Sequence, residues 1–413
     1  MRSSASKTGY WFSHSPGRLI IGSTLLLALM LTAPGSGSAD SGSGGAPPPV
    51  GHTTPGFIKG ADVSYLQEIE NHGGIFTENG TPRDLLEILA GHGFNYARLR
   101  VWHTPPAGYC GLDSTLLMAS RIKAAGLALL LDFHYSDSWA DPGKQFKPQA
   151  WTGLDFAPLT DSVYEYTRRI MTGFKDQNTP PDIVQIGNEI TCGMLWDDGR
   201  VCGRFDTPGQ WARLGKIIAA AVDGIDSALP PADSTRTMIH IDRSGDIGGA
   251  TRFFDKLAGQ GIDFDIIGLS YYPWWHGTLG DLEATLDSLS RRYGRDIIVV
   301  ETAYPWTLGW HDDTHNIVGL PEHLHPGYPA TVSGQRAFLS DLIDVVAKAP
   351  GSRGRGVFYW APEYISAPGL GSVWENVTLF GFDGEILPSV AAFDSAVTRV
   401  APNDLHREKG GLR

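Results

Sequence analysis

From residue 57 onward, short apolar runs alternate with longer stretches in which apolar residues recur at helical spacing. The runs predict strands at 57–62, 96–101, 127–134, 183–189, 238–242, 266–272, 297–301 and 356–360. Helical periodicity between them predicts helices near 82–92, 115–125, 161–175, 210–228, 251–259, 280–293 and 334–348, with a last one near 389–399. Thr81-Pro82 and Thr207-Pro208 read as helix starts, because proline suits the first helical position behind a hydroxyl cap. Runs such as Leu127-Ala-Leu-Leu-Leu are apolar on both faces, as strands covered by helices on one side and a core on the other must be.

Strict strand–helix alternation implies a parallel sheet with helical crossovers. Eight repeats, and no glycine-rich phosphate fingerprint after the first strand, favour closure over an open doubly wound sheet. The expected fold class is therefore α/β, a (β/α)8 TIM barrel with long loops at its C-terminal face. Those loops are 135–160, 190–209, 304–330 and 361–387, after strands three, four, seven and eight, on the face where such barrels build active sites. They carry Trp139, Trp151, Trp196, Trp306, Trp310 and Trp374, an aromatic supply suited to a groove for a polymer.

The rest of the 413-residue chain divides simply. Residues 1–39 read as a signal peptide: Arg2, Lys7 and Arg18 precede an apolar run from Leu19 to Ala33, too short to span a bilayer, and Gly37 and Ala39 fit a cleavage site. Residues 40–55 form a Gly/Ser/Pro-rich linker, 56–402 the catalytic barrel and 403–413 a polar tail. The expected location is extracellular, with no membrane partner once the signal is removed and a monomeric product. A net charge of −12, from 45 acidic against 33 basic side chains, argues against nucleic acid and against a polyanionic substrate. Three cysteines suit an exported chain, with Cys192 and Cys202 bracketing a short loop that a disulfide can close and Cys110 left over. No Cys/His spacing suggests a metal ligand set.

The chemistry sits at strand ends. Ile183-Val-Gln-Ile-Gly-Asn-Glu189 closes strand four and Ile297-Ile-Val-Val-Glu301 closes strand seven. A carboxylate ending a buried strand is costly to desolvate unless paired or functional. Strands four and seven face each other across an eight-stranded barrel, and glycoside cleavage needs two carboxyl groups flanking the scissile bond. Glu189 is the expected general acid/base and Glu301 the expected nucleophile. Arg100, at the end of strand two, is the expected cation holding Glu301 ionised. His134, Asn188, Tyr271, Tyr272 and Trp360 also lie at strand ends and are candidate substrate-binding residues, with one tyrosine orienting Glu301, Asn188 reaching a sugar 2-hydroxyl and Trp360 flooring the cleaved sugar's subsite.

These features resemble the large clan of retaining glycosidases with glutamates on strands four and seven. More narrowly, the chain resembles the arabinogalactan endo-β-1,4-galactanases of glycoside hydrolase family 53. The motifs are Gly60-Ala-Asp-Val-Ser-Tyr-Leu66, Ala97-Arg-Leu-Arg-Val-Trp102, Asp132-Phe-His-Tyr-Ser-Asp-Ser-Trp-Ala-Asp-Pro142, Gln185-Ile-Gly-Asn-Glu-Ile190, Gly268-Leu-Ser-Tyr-Tyr-Pro-Trp-Trp-His-Gly277, Val299-Val-Glu-Thr-Ala-Tyr-Pro-Trp306, Gly356-Val-Phe-Tyr-Trp360 and Trp374-Glu-Asn376. The resemblance extends over essentially residues 57 to 400. The resemblance implies endo-cleavage of β-1,4-galactosidic bonds in the (arabino)galactan side chains of pectin by a double displacement, with no cofactor required. It adds Trp139, Asp141 and Trp306 to the substrate-binding candidates. The chain departs from the family where Tyr359-Trp360 runs into Ala361-Pro362-Glu363, and at Leu379-Phe-Gly-Phe-Asp383. Some bacterial members bind calcium after strand seven. His311-Asp-Asp-Thr-His-Asn316 matches that pattern in part, making Asp313 and His315 candidate ligands of a structural calcium. Two other readings remain: a related hydrolase of another neutral β-glycan, a glucan or mannan, and a non-catalytic glycan-binding barrel.

Overall fold

The computed structural model describes residues 56–229 and 235–394. Eight parallel strands close a barrel in chain order: β1 (Ile58–Asp62), β2 (Tyr96–Val101), β3 (Ala128–Phe133), β4 (Ile183–Ile186), β5 (Arg236–Ile241), β6 (Ile266–Ser270), β7 (Asp296–Thr302) and β8 (Gly354–Trp360), with β8 pairing back to β1. Among the described residues, seven longer helices lie between them: α1 (Leu85–Gly91), α2 (Leu112–Ala124), α3 (Phe156–Asp176), α4 (Pro208–Ala228), α5 (Ile247–Ala258), α6 (Leu279–Tyr293) and α7 (Val332–Ala347). The predicted α/β barrel is the observed fold. The predicted signal peptide, linker and polar tail lie outside the described residues.

Helix ends follow local chemistry. Thr207 caps α4 as expected, its hydroxyl accepting from the Gln210 amide, with Pro208 at the first helical position. Thr81-Pro82 does not start α1. It forms a two-residue antiparallel ladder with Thr77–Glu78, and α1 begins behind Asp84, whose carboxylate accepts from the Leu86 amide. At the chain's end, Pro388–Ala392 is a short 3₁₀ turn in place of the start of the predicted last helix, and 395–399 lie outside the described residues. Two short helices, Leu66–Asn71 and Pro273–His276, were not predicted; they are too brief to show periodicity.

The barrel interior is layered. Ile58, Tyr96, Leu130, Ile183, Met238, Ile266, Ile298, Val300 and Phe358 form a buried apolar plug to which every strand contributes. Inward side chains recur every second residue. Two or four residues further along, toward the C-terminal mouth, the inward positions turn polar: Asp62, Arg98, Asp132, Gln185, His240 and Ser270 are all buried. The apolar plug thus shuts the lower half of the barrel and leaves a polar layer just beneath the mouth.

A bulge completes that layer. Across the β6–β7 ladder Leu269 opposes Val299, yet Ser270 opposes Glu301, so Val300 is an extra residue. The other flank agrees: Val299 pairs with Val357 and Thr302 with Tyr359, three steps on β7 against two on β8. Without the bulge, Glu301 would alternate outward from Val300 into the helical shell. The inserted residue turns it into the barrel.

Candidate active site

Arg98 is the centre of the polar layer. It is almost fully buried, and each of its five N–H groups finds an acceptor. Nη1 donates to Glu301 Oε1 at 2.8 Å and Asp62 Oδ2 at 2.9 Å. Nη2 donates to Asp132 Oδ2 at 2.8 Å and Asn188 Oδ1 at 3.0 Å, and Nε to Gln185 Oε1 at 3.2 Å. One guanidinium therefore serves three buried carboxylates. Burial pushes the Glu301 carboxyl up to about 7, with Arg98 opposing and the charges of Asp62 and Asp132 adding to the rise. Tyr272 Oη donates to the other oxygen, Oε2, at 3.2 Å. Glu301 is held at both oxygens, in a fixed orientation.

Glu189 stands on a different support. Gly187, at φ +80°, turns the chain off β4, and a Cβ there would meet the Ile190 side chain at 2.5 Å. Glu189 itself adopts the left-handed region at φ 47°, ψ 48°. That conformation is disfavoured for a residue with a Cβ and is found where function holds it. Ser270 Oγ donates to Glu189 Oε1 at 2.6 Å. Behind the serine, His240 has Nδ1 facing the donors Gln185 Nε2 (3.0 Å) and Glu189 N (3.3 Å), which leaves Nε2–H to donate to Ser270 Oγ at 2.9 Å. Burial, with Arg98 nearby, holds His240 neutral. No cation in this set touches Glu189. Burial and the negative charge of Glu301 raise its carboxyl well above the ordinary range. When one proton is present, it belongs on Glu189, and Glu301 is the ionised partner.

The other sequence candidates divide into those at the site and those beside it. Asn188 keeps its Oδ1 on Arg98 and one Nδ2–H on the Ala140 carbonyl at 2.9 Å, leaving a second N–H available. Of the two tyrosines, only Tyr272 reaches Glu301; Tyr271 turns outward to the Gly277 carbonyl and stacks on Phe338 of α7. His134 has both nitrogens engaged: Nδ1 accepts from Trp102 Nε1 and Ala140 N, and Nε2 donates to Asp132 at 3.0 Å. Asp141 is committed to its own loop, accepting from the Gly143 and Lys144 amides and pairing with Lys144. Trp306 is half-buried, with Nε1 on the Glu375 carbonyl and its ring against Phe382. Trp139 and Trp360 pack together at 6.0 Å at the barrel mouth, with Tyr65 against both.

The arginine assignment needs correction. Arg100 does not hold Glu301; Arg98 does. Arg100 lies two residues, about 6.6 Å, further along the same strand face. There its guanidinium is stacked between Tyr65 at 4.2 Å and Trp139 at 4.1 Å, stiffening the aromatic wall. Asp62, Asp132, Gln185, His240 and Ser270 were not picked out from the sequence. Their signal was present, since each is a polar residue on the inward face of an apolar strand.

The loop after β7 carries the two calcium candidates, Asp313 and His315. Asp313 and His315 are exposed, and the His315 ring meets Trp310 edge-on. Asp312 accepts from Thr314 N, Ser372 N at 2.8 Å and Ser366 Oγ, and Glu375 accepts from His311 N at 2.6 Å and Ser366 Oγ at 2.8 Å. Protein donors to those carboxylates tie the β7 and β8 loops together. Among the described residues, no three His, Cys, Asp or Glu side chains converge as a metal site.

Two carboxyl groups with different supports, Glu301 on a cation and Glu189 on a serine, at the mouth of a closed barrel fit the apparatus of glycoside cleavage. The sequence model of glycosyl hydrolase family 53 matches residues 58–393. The chain belongs to glycosyl hydrolase family 53. A Niallia circulans protein, described as an uncharacterized protein in the bgaB 5′ region, is 47% identical over 351 residues, covering 83% of this chain and 94% of its own. A probable arabinogalactan endo-β-1,4-galactanase A from Neosartorya fischeri is 37% identical over 324 residues, covering 76% and 86%. The family 53 catalytic domain of Ignisphaera aggregans superposes with a TM-score of 0.78 at 37% identity, over 85% of this chain and 99% of that one. This family 53 glycosidase also carries the expected disulfide, Cys192–Cys202, in the loop after β4; Cys110 is free and buried. No helix among the described residues is long and apolar enough to cross a membrane.

Proposed function

We propose that this family 53 enzyme is a secreted endo-β-1,4-galactanase that cleaves the galactan side chains of pectin with retention of configuration. The observation that carries the mechanism is the position of Ser270. It pairs with Glu301 across the sheet while its hydroxyl bonds Glu189, which places the two carboxyl groups around one residue. Retention requires a separation of ~5–5.5 Å. Glu301 attacks the anomeric carbon as Glu189 protonates the departing glycosidic oxygen. Glu189, now ionised, takes a proton from water, and that water displaces Glu301. The free N–H of Asn188 is available to the 2-hydroxyl of the sugar under attack.

The galactan assignment draws on the names of relatives such as the Neosartorya fischeri protein and on the shared motifs. Secretion draws on the apolar run before Ala33 and on the disulfide. Reducing-sugar release from potato galactan, cellulose, mannan and xylan tests the substrate. Release from galactan alone is expected; preferential release from cellulose or mannan would point to the other β-glycans, and no release from any would leave a binding barrel.

A further inference from the structure

Large exposed apolar side chains are common and usually need no explanation. Phe146, in the loop after β3, differs because the chain around it is pinned with the ring left in water. It is 62% exposed. Gln145 before it is buried, with Nε2 on the Asn188 carbonyl at 2.7 Å, and its own carbonyl accepts from Trp196 N at 2.8 Å. Lys147 after it pairs with Asp198. Both neighbours are thereby fastened to the loop that follows Glu189. That loop is itself fixed by Cys192–Cys202 and by the ladder of Gly193–Met194 with Gly199–Arg200.

Phe146 and Trp196 are bridge partners, so their side chains leave the backbone on the same side. The Trp196 ring is held by its Nε1 bond to the Cys192 carbonyl at 3.0 Å and by the Arg200 guanidinium at 4.1 Å. Phe146 is thus carried on backbone tied to Trp196 and, through Gln145, to the Asn188 carbonyl next to the general acid. A general acid stands next to the glycosidic oxygen, and whatever lies beyond that oxygen is the leaving part of the chain.

We propose that Phe146, on the same side of the bridge as Trp196, is a binding platform for galactosyl residues on the leaving-group side, a reading that rests on the galactanase function proposed above. The C–H face of β-galactose around C3, C4 and C5 is apolar and matches a flat ring. The platform acts on chain length: it favours binding frames that place several residues beyond the scissile bond. The experiment compares Phe146→Ala with the parent enzyme on β-1,4-galactan and on galactohexaose labelled at its reducing end. The variant is expected to lose about three- to tenfold in kcat/KM on galactan through KM, with kcat and Tm near the parent values. Phe146→Trp should restore the loss. On labelled hexaose, cleavage should move toward the reducing end, giving shorter labelled fragments. Unchanged bond frequencies, or a move toward the non-reducing end, would overturn the platform while leaving the galactanase reading intact. A parent enzyme that cuts neither substrate would overturn the galactanase reading and the platform with it.

Discussion

Arg98 donates to Glu301 Oε1 at 2.8 Å through the same Nη1 that holds Asp62 at 2.9 Å. Glu301, the proposed nucleophile, therefore shares its cation with Asp62 and Asp132, and its readiness to ionise depends on them. Arg98→Lys keeps the charge but not the fork that satisfies five acceptors. It should lower kcat by about 10²-fold or more, with a smaller change in KM. Steady-state kinetics on galactan check this; a near-normal kcat would mean that Glu301 needs only a nearby positive charge.

The shared cation also sets a pH dependence. Asp62 raises the Glu301 carboxyl by its charge, and the proposed mechanism needs Glu301 ionised. Asp62→Asn keeps an oxygen for Arg98 while removing that charge, so the Glu301 pKa should fall. The acid limb of the kcat/KM profile should move to lower pH. A limb that stays in place, or moves up, would show that Asp62 does not act on Glu301 electrostatically.

Glu363, in the loop after β8, gives a stability test. It is fully buried with one oxygen on the Tyr65 amide, and burial raises its carboxyl well above the ordinary range. The folded pKa thus exceeds the unfolded value of ~4.3. The stability tied to its proton is fully present below the unfolded value and declines as pH rises toward the folded one. Glu363→Gln removes that decline. The Tm of the variant relative to the parent should climb as pH rises above about 5; a pH-independent difference would contradict the assignment.

Chelation should leave the loops after β7 and β8 unaffected, because protein donors fill Asp312 and Glu375. Thermal unfolding in EDTA and in added calcium should give one Tm. Asp312→Ala should lower it, by about 1–3 kcal/mol of stability for the donors left unpaired. A Tm that rises with calcium would show that the loop collects ligands after all.

The barrel was legible because its strands are covered on both sides and so carry unbroken apolar runs, while helices keep their own period. Glu189 and Glu301 were legible for a related reason: charge at the end of such a run is conspicuous. The β7 bulge was not, since Ile297-Ile-Val-Val gives no sign of which residue is extra. Nor could alternation choose between Arg98 and Arg100, which share a strand face; only their height in the barrel separates them. The partners of Asp312 were not legible either, because Ser366 and Ser372 come from the loop after β8, far along the chain.

The account turns on separate roles for the two glutamates, and rescue by azide reads those roles directly. Glu301→Ala removes the attacking atom, so azide can enter from the vacated face and give an α-galactosyl azide. Glu189→Ala leaves attack possible on an activated aryl galactoside, and azide should then displace Glu301 to give the β-azide. The stereochemistry of each product, read by proton NMR, decides between them. The α-azide from the Glu301 variant and the β-azide from the Glu189 variant are the expected pair; the reverse pairing would exchange the roles, and full galactan activity in both variants would remove the site altogether.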